Sequence, residues 1–125
     1  MVSYSGIVLD EKSHKKLLEV FGPTWESEQG WEPIAHHMTI KMGGLPEDKK
    51  HFIGQEFTMK VVAFAGNDQV KAVQVEAVID TVNKVPHITL AVNRARGGKP
   101  MMSNMLTNWT PVKSELYVKG IVQEV

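Results

Sequence analysis

Two apolar runs of side-chain period two, EFTMKVVAFA at 56–65 and VKAVQVEAVI at 70–79, are separated by the four-residue turn GNDQ. A period of two is what a strand half-buried on one face requires, and so short a turn makes the runs antiparallel hairpin partners. Further strands are read at SYSGIVL (3–9), AHHMTIKM (35–42), HITLAV (87–92) and SELYVKGIVQEV (114–125). One segment instead has helical spacing: EKSHKKLLEVF (11–21), with Leu17, Leu18 and Phe21 on one face. Asp10 suits its N-cap, and Gly22-Pro23 its end, with Gly22 at the left-handed C′ position. TWESEQGWEP is a polar loop, EDKKHFIGQ a turn of helix or a loop, and NRARGGKP a loop. SNMLTNW reads as a short helical turn with Ser103 as its cap. Strands joined by turns, with one clear helix and one short one, predict an α+β chain on antiparallel sheet rather than a doubly wound fold.

At 125 residues the chain fits a single domain, 1–125, able to bury a real core. Its formal net charge of zero argues against wrapping long duplex nucleic acid, though a local basic cluster suffices for a small anion or a nucleic-acid end. With no cysteine, thiolate metal sites, disulfides and cysteine nucleophiles are excluded. The N-terminus MVSYSGIVLD lacks the basic start of a signal peptide, and no apolar run approaches the roughly 20 residues of a bilayer span. The expected address is cytoplasmic, with no membrane partner.

Within this frame the tripeptide His-x-Thr occurs twice, each time followed by an apolar residue: HMTI at 37–40 and HITL at 87–90. On a strand, residues i and i+2 share a face. His37 and Thr39 therefore point one way, as do His87 and Thr89, while Met38, Ile40, Ile88 and Leu90 point the other way and can be buried. Two imidazole–hydroxyl couples facing each other suit attack at phosphorus. One neutral ring takes a proton from the attacking hydroxyl or water, and the other, as imidazolium, gives one to the departing oxygen. The hydroxyls donate to the non-bridging oxygens, and the arrangement requires neither metal nor cofactor. The bland alternative is ordinary cross-strand pairing of His and Thr.

The paired HMTI and HITL, each on an expected strand, resemble the motifs of the two-histidine (2H) phosphoesterase superfamily. SGIVLDEKSHKKLLEVF, WEPIAHHMTIKMG and GGKPMMSNMLTNW look like a compact branch of it, related to RNA-repair and phage members. The resemblance implies two lobes of antiparallel sheet, pseudo-symmetric about a central cleft, with one catalytic pair from each. It also implies action on RNA-type phosphate esters: 2′,3′-cyclic phosphate ends or 2′–5′ and 3′–5′ oligonucleotides. The alternatives are a hydrolase of cyclic oligonucleotide signals, an RNA end-joining ligase, and a noncatalytic nucleotide- or RNA-binding module. Expected partners are a nucleotide or RNA-end substrate and RNA-repair enzymes, with the chain a monomer or small homo-oligomer.

Around the two couples, Lys41 lies two residues past Thr39 and either reaches a phosphate or is solvated at a strand end. Arg94, Arg96 and Lys99 form a basic loop after the second motif, at a site mouth or simply in solvent. The resemblance places Tyr4 near the cleft, where it can stack on a base, as can Trp25, Trp31 or Trp109 if they are not packing. Of these, Tyr4, Lys41, Arg94, Lys99 and Trp109 are the expected substrate contacts. Ser103 and Asn104 match the branch's stretch and shape a turn. His36, next to His37 on a strand, is expected on the opposite face as a core or underlying residue. A zinc site from His36, His37, His51 and His87 is disfavoured, since opposite-facing neighbours do not share an ion.

Overall fold

The computed structural model describes residues 1–76, 78–113 and 115–125. Ala77, in the expected 70–79 strand, and Ser114, which opens the expected last strand, lie outside them. The elements are β1 (Tyr4–Leu9), α1 (Glu11–Phe21), β2 (Trp31–Pro33), β3 (His37–Met42), β4 (Glu56–Gly66), β5 (Val70–Val75), β6 (His87–Asn93), β7 (Thr110–Pro111) and β8 (Tyr117–Glu124), with short 3-10 turns between them. Asp10 caps α1 as expected, accepting from the Ser13 N–H at 2.7 Å, an arrangement worth about 1 kcal/mol. Leu17 and Phe21 are buried and Leu18 packs against the same core.

Every strand pairing is antiparallel. The order β6-β3-β1-β8-β4-β5 returns to β6, so six strands close into one ring, with β2 added beside β6 and β7 beside β4. The architecture is α+β on antiparallel sheet, but the strands form a single closed barrel rather than two detached sheets. The long β4 makes this possible: Glu56–Lys60 pair with β8, and Val61–Gly66 pair with β5. One strand thus serves two arcs, β3-β1-β8 and β5-β6-β2. The arcs meet again at a narrow seam, where the register of β3 with β6 consists of the single pair Met38–Ile88. Closure pairs both sides of β1, β8 and β5, and the edges that remain are short: β2, and the part of β3 beyond the seam.

The core follows the alternation. Ile7, Met38, Met59, Val61, Val73, Val75, Ile88, Leu90, Val118 and Val122 point inward with Leu17 of α1, and Trp25 joins them. A smaller cluster of Ala65, Val70, Ala72, Val92 and Leu106 supports Ile34, Met102 and Trp109. No helix among the described residues is long and apolar enough to cross a membrane.

Several local expectations need correction. Gly22 is right-handed helical (φ −49°, ψ −42°) and leads into a 3-10 turn that accommodates Pro23 at its start, where no N–H is needed. Positive φ is found instead at Gly30, Gly43, Gly54 and Gly97 and, among the other described residues, at Ala35 (φ 44°). Trp31–Pro33, expected in a loop, pair with Ala91–Asn93. The turn after Lys99 begins at Pro100, three residues ahead of Ser103, so Ser103 lies inside it and caps nothing.

Candidate active site

The seam is also where the two His-x-Thr segments meet. Chain 31–35 runs along β6 in even register, ending with the Ala35 N–H donating to Thr89 O at 2.9 Å. The next pair is Met38–Ile88. Three residues advance on one side while one advances on the other, so His36 and His37 enter as two extra residues at the left-handed Ala35. Irregularities of this kind re-aim side chains beside active sites. The carbonyl of Ala35 accepts from His14 Nδ1–H of α1 at 2.9 Å, which anchors the kink from below. His14 had no sequence signal of its own.

The kink decides where His36 goes. Alternation would send it to the face opposite His37, but alternation does not cross the inserted residues. His36 is exposed, and its Nδ1 lies 2.9 Å from Nδ1 of His37. It is neither core nor buried support. At that separation one Nδ1 carries a hydrogen and the other accepts it. His37 Nε2 lies 3.1 Å from Thr39 Oγ1, and the Tyr4 ring stacks on the His37 ring at 4.3 Å between centroids. Gly6 on β1 passes beneath this group: a Cβ there would stand 2.7 Å from Met38 O and 3.4 Å from His37 Cδ2. A close backbone approach therefore requires glycine at that position.

On the other strand His87 is buried, with its Nδ1 2.7 Å from Val85 O. A carbonyl only accepts, so Nδ1 carries the hydrogen and Nε2 is left for chemistry. Thr89 Oγ1 lies 2.8 Å from Ser103 Oγ and tethers the Pro100–Met105 turn to β6. Ser103 thus positions a motif hydroxyl.

His37, Thr39, His87 and Thr89 all line one cleft of about 370 Å³, together with Tyr4 and the side chains of Ile34, Met42, Asn83, Pro100, Met101 and Asn104. Met42 stands where Lys41 was expected. The pairing runs Ser5–Lys41, then Gly6–Thr39, skipping Ile40, and this bulge reverses the alternation so that Met42 turns to the cleft. Lys41 donates instead to Gly44 O at 3.3 Å, outside the cleft. Arg94 is likewise outside, paired with Glu32 at 2.9 Å, and Arg96 pairs with Asp68 at 3.3 Å. Lys99 is exposed and only precedes the cleft-lining Pro100. Trp109 does not line this cleft but lies 6.5 Å from His87, ring to ring, in an adjoining groove. Trp25 is in the core, and Trp31 lies under the Lys71 ammonium, 5.2 Å from its centroid. Met42, Met101, Ile34 and Asn83 were not singled out in the sequence; the bulge turns Met42 to the cleft, and the Pro100–Met105 turn carries Met101 there. Among the described residues, no three His, Asp or Glu side chains converge as a metal-ligand set.

Burial lowers the pKa of both motif imidazoles. His37 is pushed down to about 4, first by desolvation, then by the neighbouring His36 and His87. His87 is lowered by burial and partly restored by its bond to the Val85 carbonyl. In the unfolded chain both titrate near 6.5. Above that pH both states are neutral and the contribution to stability is complete. As pH falls from 6.5 toward 4, the unfolded chain takes up protons that folded His37 refuses, so stability is lost. Allowing for the partial exposure of His37, the loss is about 2 kcal/mol. Urea midpoints at pH 7 and pH 5 are expected to differ less in His37→Ala than in the parent chain; equal pH dependence in the two would show that His37 is not held neutral.

No known protein-family model matches this chain, and no curated protein matches it. Among solved structures, TT0787 of Thermus thermophilus is similar to it, at 18% identity and a TM-score of 0.54, over 94% of this chain and 84% of that one. At that identity the likeness speaks for the fold alone.

Proposed function

We propose that this chain is a phosphodiesterase of the 2H phosphoesterase kind, acting on RNA-type phosphate esters by acid–base catalysis from His37 and His87. In this reading the two arcs of the barrel are the family's two lobes, each presenting one couple at the seam. The observation that carries the proposal is the convergence of both His-x-Thr couples, fifty residues apart in sequence, on one water-accessible cleft.

The hydrogen bonds suggest which ring does what. His37 faces a second imidazole, which disfavours a positive charge on it, so it is the base. This requires its hydrogen on Nδ1, donated to His36, leaving the Nε2 lone pair free to release Thr39 and take the nucleophile's proton. His87 has its Nδ1–H on a carbonyl, a bond that favours the cationic ring, so it is the acid. As the new P–O bond forms, the nucleophile's proton passes to His37. The old P–O bond breaks, and the leaving oxygen takes the proton from His87 Nε2. Thr39 and Thr89 donate to the non-bridging oxygens, where charge accumulates. Two imidazoles and two hydroxyls suffice for these steps without a metal ion.

The test is turnover in the presence of EDTA of 2′,3′-cyclic mononucleotides, linear 2′–5′ and 3′–5′ dinucleotides, and cyclic di- and trinucleotides. Hydrolysis of at least one class with a bell-shaped pH profile is expected. Binding without turnover of any of them would overturn the enzymatic reading in favour of a binding module.

A further inference from the structure

His87 stands between two cavities. On one side is the cleft already described. On the other is a larger groove of about 710 Å³, which shares Val82, Asn83, His87 and Asn104 with it and continues past Lys84 and Met105 to Trp109. Resting on the phosphodiesterase reading, we propose that this groove receives the nucleoside on the leaving side of the phosphorus. The favoured substrate is then a phosphodiester with a nucleoside on each side, rather than a terminal cyclic phosphate.

Three features support this occupant. The first is chemical. The acid protonates the leaving oxygen, so the leaving group extends from the phosphorus toward His87 and the space beyond it. When a 2′,3′-cyclic phosphate opens, the leaving oxygen stays on the same ribose, so a single nucleoside is bound and only one of the two cavities is filled. When a linear or macrocyclic diester is cut, the P–O bond breaks, the oxygen takes the His87 proton, and a second nucleoside must be accommodated there.

The second feature is the surface. Trp109 Nε1–H donates to Leu106 O at 3.1 Å, so its polar edge is satisfied and the surface it offers the groove is apolar. Met105 is 80% exposed at the groove, while Met42 (69%) and Met101 (70%) are exposed at the cleft. Large apolar side chains held in water on both sides of His87 suit the flat faces of two heterocycles. The third is charge and polarity: Lys84 supplies a cation at the groove, and Asn104 and Thr107 supply groups able to bond base edges or ribose hydroxyls.

The experiment compares kcat/KM for a dinucleoside monophosphate and a 2′,3′-cyclic mononucleotide, in the parent chain and in the exposed-site variants Met105→Glu and Lys84→Glu. The parent is expected to favour the dinucleotide by about tenfold or more, and each variant to lower that preference by about tenfold, the scale of one base–aromatic contact. Binding is read separately on His37→Ala by 15N NMR. A dinucleoside monophosphate is expected to shift the Trp109 indole N–H, and a mononucleoside 3′-phosphate to leave it in place. Equal or better use of the cyclic mononucleotide, equal losses on both substrates, or equal shifts from both probes would overturn the assignment. A Trp109 shift specific to the dinucleotide in a chain that turns over neither substrate keeps the groove and removes the phosphodiesterase reading.

Discussion

His37→Ala and His87→Ala are each expected to lower kcat by about 10²–10⁴-fold, the range contributed by one positioned general acid or base. The two variants should differ in kind. His37→Ala removes the base, so the limb of the pH profile that rises with deprotonation should flatten. His87→Ala removes the acid, so the falling limb should flatten, and a substrate with a leaving group that needs no proton should recover much of the rate. His36→Ala is expected to act more mildly and through His37, by releasing the Nδ1 that now lies 2.9 Å away. Rates measured across pH with a poor and a good leaving group check the set. Rescue of His37→Ala rather than His87→Ala by the good leaving group would reverse the assigned roles, and retained activity in either variant would remove the mechanism. Because burial keeps both rings neutral in the free chain, the cationic form of His87 must be favoured by the incoming phosphate. The falling limb should therefore lie at higher pH in kcat, which reports the complex, than in kcat/KM, which reports the free chain.

What was legible in the sequence is what local periodicity and local chemistry encode. The alternation of β4, the apolar face of α1 and the Asp10 cap each depend on residues within a few positions of one another, and the structure keeps all three, whereas β5 ends at Val75 and buries the neighbours Ala72 and Val73 on both of its sides. So does the division of each motif into a cleft side and a core side: Met38 and Ile88 are buried, while the couples beside them line the cleft. What was not legible depends on register. The two-residue insertion at Ala35 brings His36 back beside His37, and the bulge at Ile40 exchanges Lys41 for Met42 at the cleft. Both irregularities exist only relative to a partner strand. The closed ring was hidden for the same reason, since β5–β6 and β3–β6 pair segments whose order in space no single run reveals. The basic loop lies away from the cleft, with Arg94 and Arg96 facing the carboxylates of Glu32 and Asp68, contacts that a reading of the loop alone does not reveal.

The seam itself provides the second large effect. Met38 and Ile88 are fully buried and form the one register pair between the two motif strands. Ile88→Ala removes three buried carbons from a core whose neighbours are fixed by the closed ring and cannot collapse freely into the space. A cost of about 2–5 kcal/mol is expected, a large share of the roughly 5–15 kcal/mol that holds a domain of this size. Leu17→Ala, equally buried but on α1, should cost a similar amount. The two should part company in function. Losing Leu17 loosens the helix against the barrel and leaves the pairing of β3 with β6 in place. Losing Ile88 frees the strands on which His37–Thr39 and His87–Thr89 are mounted, and misplacement of about 1 Å between reacting groups can cost about 10²-fold in rate. Under conditions where both variants are fully folded, Ile88→Ala should therefore retain far less kcat than Leu17→Ala, and its β3 and β6 amides should exchange with solvent faster. Equal kcat in the two, at equal stability, would mean that the couples are held by their own hydrogen bonds to His36, Val85 and Ser103 and not by the seam beneath them.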